Sequence, residues 1–174
     1  MNYQKLVGNA VDNYGLTQDE AHAVFGYTTK LFYRDLNGAL EAGGNSDAMA
    51  LSDLINSGLG KMPASGTTQF RGWRLNTPDD MAAFDGKFAL GNNVTTKGYW
   101  STAPNEADAY LADRNVVMTT EPGAARDISD LSFGVNFHAT IGKPIYSSET
   151  ILPPGVTLKV VDIDANGRLV LEQQ

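Results

Sequence analysis

Three short stretches carry side chains that could do chemistry together. FRGW, residues 70–73, sets Arg71 in an otherwise apolar and aromatic run. GYWSTA, residues 98–103, lets Ser101 and Thr102 leave an aromatic strand, and SSETILPPG, residues 147–155, places Glu149 ahead of an apolar run and a rigid Pro-Pro-Gly turn. A planar guanidinium matches phosphate oxygens two at a time, and Gly72 beside it allows a ligand close to the backbone. A hydroxyl can orient a carboxylate, and a carboxylate at the start of a buried strand costs free energy unless it is paired or hydrogen-bonded. Each stretch also has a plainer reading: an arginine snorkelling from a strand edge, a Ser-Thr helix cap, a polar loop before a strand. Converging in one cleft, the three groups would suit a ligand that carries both phosphates and a ribose.

The elements that must position them divide into two textures. Thr17 and Glu20 have capping-box spacing, and apolar side chains then recur at Ala21, Val24, Phe25, Leu31, Phe32, Leu36, Ala39 and Leu40, as one helical face requires. The run stops at EAGGNSD, residues 41–47, and a shorter helix, AMALSDLINSGLG, follows. From Thr67 the pattern turns to strands: TTQFRGWRL, VTTKGYWSTA, VNFHATI, and VTLKVVDI joined to RLVLEQQ through DANG, whose Asn-Gly suits a tight hairpin. TPDDMAAF and NEADAYLADR read as short helical interruptions. Helices first and mostly antiparallel strands afterwards give an α+β fold, with a helical part over about residues 1–62 and a β core over about 66–174 in a single domain.

Composition narrows the function. A chain of 174 residues with 42% hydrophobic content supports one well-buried core. Thirteen basic against 20 acidic residues give a net charge of −7 with no basic stripe, which disfavours nucleic acid as a partner, although one arginine can still hold a small phosphorylated ligand. The absence of cysteine excludes disulfides, thiolate zinc sites and a cysteine nucleophile. No segment has the length or apolarity of a membrane span, and MNYQKLVGNAVDNYG has no signal-peptide pattern, so any export signal is expected elsewhere. His22 and His138 read as structural.

In their order and spacing these motifs resemble the R-S-E (cholera-toxin-like) class of bacterial mono-ADP-ribosyltransferases over nearly the whole chain. LTQDEAHAVFGYTTKLFYRDLNGAL is similar to that family's amino-terminal helical signature, an LTxxE cap leading to a YT pair and an N-x-x-L ending. FRG, GYWST and SSETILPPG are similar to its three core-strand motifs. The resemblance implies the ADP-ribosyltransferase fold, a helical lobe packed on a two-sheet β core, with NAD+ as substrate and no metal. It implies that Arg71 holds the phosphate or nicotinamide-ribose region and that Gly72 offers backbone contacts to the carboxamide. Ser101 would position the catalytic Glu149, with Thr102 supporting the strand. Glu149 would bind the nicotinamide-ribose 2′-hydroxyl and stabilise the positive charge that develops as the N-glycosidic bond breaks, as a carboxylate does before a glycosidase oxocarbenium ion. Phe133 is a candidate for stacking on nicotinamide and Arg126 for the pyrophosphate.

The departures bear on the acceptor. Ala103 replaces the last serine of the family's Ser-Thr-Ser, and Ser147 stands where the family has Glu or Gln. A serine neither draws protons from a guanidinium as a carboxylate does nor bonds an amide as glutamine does. On this reading arginine is disfavoured as acceptor, and a hydroxyl or amide on actin or a Rho-type GTPase is favoured, with Tyr146 helping to dock the target. The resemblance further implies a monomeric domain delivered to a host cytosol as the variable carboxy-terminal part of a larger toxin-complex or Rhs-type toxin. The competing expectations are an NAD glycohydrolase, with water as acceptor, and a catalytically silent binding module of the same fold.

Overall fold

A computed structural model describes residues 1–109, 113–142 and 147–174, except for the side chain of Leu31. Four helices come first: α1 (Tyr3–Tyr14), α2 (Gln18–Tyr27), α3 (Lys30–Glu41) and α4 (Ser46–Lys61). The capping box forms, with Glu20 N bonded to Thr17 Oγ1 at 3.2 Å and Thr17 N to Glu20 Oε2 at 2.7 Å. What the sequence presents as one helical run is broken between α2 and α3. Thr28 and Thr29 donate their hydroxyls to the carbonyls of Phe25 (2.6 Å) and Gly26 (2.7 Å), competing with the main-chain ladder, and the chain turns there. Gly43 and Gly44, at φ 107° and 75°, end α3 as glycines past a helix end do. Ala21, Val24, Ile55 and Leu59 bury themselves between α2 and α4, so the apolar stripe finds its partner inside the helical lobe.

The rest of the chain contributes β1 (Thr68–Trp73), α5 (Pro78–Lys87), β2 (Asn93–Thr95), β3 (Trp100–Thr102), a 3-10 turn (Glu106–Asp108), β4 (Arg114–Thr119), β5 (Arg126–Asp127), α6 (Phe133–Thr140), β6 (Thr150–Leu152), β7 (Thr157–Ile163) and β8 (Leu169–Gln173). These strands form a five-stranded sheet in the order β1-β4-β8-β7-β2 and a three-stranded sheet in the order β3-β6-β5. Every pairing is antiparallel except β4 with β8. The fold is therefore the α+β arrangement expected, with a helical lobe and two mostly antiparallel sheets. DANG makes the β7-β8 hairpin, with Gly167 at φ 74° and the Asp164 carboxylate accepting from the Asn166 and Arg168 amides.

Two expectations are corrected. VNFHATI is helical, within α6: Ser132 caps the helix by accepting from Val135 N at 3.2 Å, and the short apolar run is too weak a periodic signal to separate a buried strand from a helix. VTTKGYWSTA is two strands in different sheets, because the chain bends at Gly98 between β2 and β3. The three motif strands are consequently not all neighbours in one sheet. β3 pairs with β6, while β1 belongs to the larger sheet and meets β3 through an isolated bridge between Phe70 and Ala103.

Candidate active site

The register of β3 against β6 decides where Glu149 points. Ser101 lies opposite Ile151, and Glu149, two residues earlier, is its diagonal neighbour on the same face. Ser101 Oγ donates to Glu149 Oε1 at 2.6 Å, and Ser132 Oγ donates to Oε2 in a short hydrogen bond. The main chain of Glu149 is fixed as well. Its N–H donates to Ser129 Oγ at 3.0 Å and its carbonyl accepts from Ile128 N at 3.0 Å. Burial pushes the Glu149 carboxyl above the ordinary carboxylate range; the hydroxyls of Ser101 and Ser132 and the charge of Arg71 pull the other way without cancelling it.

Arg71 approaches from β1. It shares a face with Gln69, whose Oε1 accepts from Thr150 Oγ1 at 2.6 Å, so that face looks onto the smaller sheet. Arg71 Nη1 donates to the carbonyl of Ser101 at 2.6 Å, and the guanidinium carbon sits 4.6 Å from the Trp73 ring centroid and 5.8 Å from that of Trp100. Its Nε is buried and has no hydrogen-bond partner among the described residues. A buried donor without an acceptor is costly, and here it lies at a cavity wall, where an anionic ligand would satisfy it. Burial lowers the affinity of Arg71 for its proton, while Tyr27, Tyr33 and Glu149 raise it; a guanidinium keeps its charge in either case.

A cavity of about 310 Å³ joins these groups, lined by Arg71, Gly72, Ser101, Asp108, Ser148 and Glu149 on the β side and by Tyr27, Lys30, Tyr33 and Asn37 from the helical lobe. The helical residues are tied to β3 directly. Tyr99 N donates to Asn37 Oδ1 at 2.8 Å, and the Tyr99 carbonyl accepts from Asn37 Nδ2 at 3.0 Å and Tyr27 OH at 3.1 Å. Asn37 thus serves the Tyr99 backbone as a neighbouring strand would. Gly98 is required beside it, since a Cβ there would meet Asn37 Oδ1 at 2.6 Å. Thr28 Oγ1 accepts from Phe133 N at 2.9 Å, fastening the start of α6 to the end of α2.

The structure brings Arg71, Gly72, Ser101 and Glu149 to one cavity. Thr102 directs its buried hydroxyl to Thr150 Oγ1 at 2.7 Å and to Gln69 Oε1 at 3.3 Å, which supports the strand from the core side. Phe133 stacks on Phe137 with ring centroids 5.3 Å apart, and its neighbour Gly134 reaches the cavity wall. Arg126 lies apart, donating to the Met62 carbonyl at 3.2 Å and lining a separate cleft with Gly60 and Pro153. Ser147 is exposed and bonded to Asp108, and Tyr146 falls outside the described residues. Ser132, Asn37 and Asp108 are the participants the sequence reading did not single out. A serine just ahead of a run later found to be helical was the available signal for Ser132. Among the described residues no group of three or more His, Cys, Asp or Glu side chains could hold a metal ion, and no helix is long and apolar enough to cross a membrane.

With its helical lobe and two mostly antiparallel sheets, the chain has the fold of ADP-ribosyltransferase catalytic domains. ADP-ribosyltransferase HopU1 of Pseudomonas syringae superposes on 98% of this chain and 83% of its own with a TM-score of 0.72 at 16% identity. Exoenzyme S from Pseudomonas aeruginosa, in a complex with human 14-3-3 protein beta and carba-NAD, matches 98% of this chain and 88% of its own with a TM-score of 0.63 at 20% identity. In sequence, the NAD(+)–protein-arginine ADP-ribosyltransferase Tre1 of Pseudomonas putida is 31% identical over 156 residues, 87% of this chain. The chain spans 28% of that relative's length. No protein-family model matches the chain.

Proposed function

We propose that the chain is a mono-ADP-ribosyltransferase toxin or effector domain that cleaves NAD+ and transfers ADP-ribose to a protein side chain in a target cell. The observation that carries this reading is the Ser101–Glu149 hydrogen bond of 2.6 Å in a cavity also lined by the Arg71 guanidinium, whose Nε has no partner among the described residues. Arg71, with Gly72 beside it, takes the phosphate and ribose region of NAD+. Glu149, oriented by Ser101 and Ser132, faces the nicotinamide ribose, accepts from its 2′-hydroxyl and stabilises the oxocarbenium-like charge that appears at C1′ as neutral nicotinamide departs. Such preorganised groups cost no reorganisation at the moment of reaction, and losing one is typically worth about 2.7–4 kcal/mol of barrier.

Delivery as part of a larger toxin, and actin or a Rho-type GTPase as the target, belong to the same proposal. On Ser147 alone the acceptor would be a hydroxyl or an amide. The name of the Tre1 relative specifies protein arginine, and Asp108 supplies a physical reason to follow it. Labelled NAD+ incubated with the domain and a eukaryotic lysate tests the core reading: a labelled protein band is expected, lost in Glu149→Gln. Nicotinamide release without any labelled protein would instead favour an NAD glycohydrolase, and neither product would leave a silent binding module.

A further inference from the structure

Among the described residues, four formally charged side chains line the cavity: Lys30, Arg71, Asp108 and Glu149. On the reading above, which this inference presupposes, Arg71 faces the phosphates and Glu149 faces the ribose. Asp108 is left without a task. It sits at the end of the 3-10 turn, half-buried, with its carboxylate turned to the segment that leads into Glu149. Asp108 Oδ1 accepts from Ser147 N at 2.6 Å, Oδ2 accepts from Ser148 Oγ at 2.7 Å, and the Ser147 hydroxyl lies 3.1 Å from both oxygens. Every one of these donors is neutral. They fix the carboxylate in place, and none of the salt bridges among the described residues involves it. Burial acts to raise the Asp108 carboxyl, but the main-chain bond from Ser147 and the side chains of Ser148, Ser147 and Asn105 outweigh it, and the group stays below the ordinary carboxylate range.

We infer that Asp108 is the specificity-determining residue of this cavity, holding the guanidinium of an acceptor arginine beside Glu149. A carboxylate accepts a guanidinium fork through two parallel charge-assisted hydrogen bonds, which a hydroxyl or amide acceptor cannot match. The Ser147 hydroxyl, shared between the two oxygens at 3.1 Å, is the weak bond that an incoming fork displaces. The bond between ribose C1′ and the nicotinamide nitrogen breaks, and its electron pair leaves on neutral nicotinamide. A guanidinium nitrogen supplies the pair for the new bond to C1′. That nitrogen, no longer conjugated as it bonds, becomes strongly acidic and loses its proton to water at the open mouth. Asp108 is too weak a base to abstract a proton from a resting guanidinium, and its part is to anchor and orient the cation.

The test uses the purified chain with NAD+ and agmatine as a small guanidinium acceptor, measuring ADP-ribosyl-agmatine and free ADP-ribose in the same reaction. In the wild type the adduct is expected to form. In Asp108→Asn the ratio of adduct to free ADP-ribose is expected to fall at least about tenfold, and Asp108→Glu is expected to recover part of it, since charge rather than shape is what the acceptor reads. A role confined to anchoring Ser147 and Ser148 would lower both products together and leave the ratio unchanged, which overturns the inference. So does a wild type that releases nicotinamide yet makes no adduct; that result leaves the NAD+-cleaving reading standing. No nicotinamide release at all from a folded wild type removes the reading of the cavity itself.

Discussion

The molecule withdraws two glutamates from solvent, Glu20 fully in one half and Glu149 partly in the other, and treats them in opposite ways. Glu20, in the helical lobe, is 4% exposed and accepts from Lys61 Nζ at 2.7 and 2.9 Å, from Ser57 Oγ at 2.6 Å and from Thr17 N at 2.7 Å. Those bonds, led by the one from Lys61, hold its carboxyl down at about 2. Glu149, in the cavity, has two hydroxyls and a guanidinium nearby but no direct salt bridge among the described residues, and burial holds its carboxyl above the ordinary range. A carboxylate that a cation fully satisfies has no charge left to offer a ligand. One that is oriented yet under-compensated is poised to meet positive charge as it develops, and the fold carries the cost. The contrast separates the structural acid from the chemical one without any knowledge of substrate.

The sharpest way to break that contrast is to neutralise each acid in turn. Glu149→Gln keeps the shape and removes the charge, and NAD+ turnover should fall by about 10²–10³, the scale of losing one preorganised electrostatic group. Its thermal midpoint at neutral pH should not fall and is expected to rise, because an acid whose carboxyl is raised by folding costs stability as soon as the pH passes its unfolded value of about 4.5. Thermal melts and nicotinamide release on one preparation check both halves. Glu20→Gln should do the reverse, leaving the chemistry intact while costing roughly 1.5–3 kcal/mol of stability, the usual worth of hydrogen bonds to a charged group. The acid limb separates them further. Glu20 has a lowered folded value, so its contribution is complete above about 4.5 and is lost as the pH falls toward about 2. Melts of wild type and Glu20→Gln should therefore converge across that window. Parallel curves would mean that the Lys61 pair contributes nothing to folding.

The two halves were also unequally legible. Glu20 announced itself through the Thr17–Glu20 spacing, since a capping box is local and its geometry needs only four consecutive residues. Arg71, Ser101 and Glu149 were legible as chemical types in strand-like surroundings, and the resemblance supplied their order. Their meeting depends on a β3-β6 register and on a bridge between two sheets, neither of which any local pattern encodes. VNFHATI misled because seven residues of mixed apolar and polar type fit either period, and packing of Phe133 on Phe25 and Phe137 settled it as helix. Asn37 illustrates the remaining gap. Its amide pairs with the Tyr99 backbone 62 positions away, a tertiary contact with no trace in the spacing of α3.

Ser132 joins the two kinds of role, and the smallest of these effects tests that. It is fully buried, caps α6 by accepting from Val135 N, and donates to Glu149 Oε2. A residue that only capped the helix would, when replaced by alanine, cost about 1 kcal/mol of stability and leave the pH dependence of catalysis where it was. A residue that also holds the carboxylate in its charged form must do more. Its hydrogen bond lowers the Glu149 carboxyl, so Ser132→Ala should raise it further, and the acid limb of the pH–rate profile should move to higher pH. Activity well above that limb should drop only several-fold, since Ser101 still orients the other oxygen. Ser132→Thr, which keeps both the cap and the hydroxyl, should restore the limb. An unmoved limb in Ser132→Ala would reduce Ser132 to a helix cap and leave Ser101 as the hydroxyl that orients Glu149.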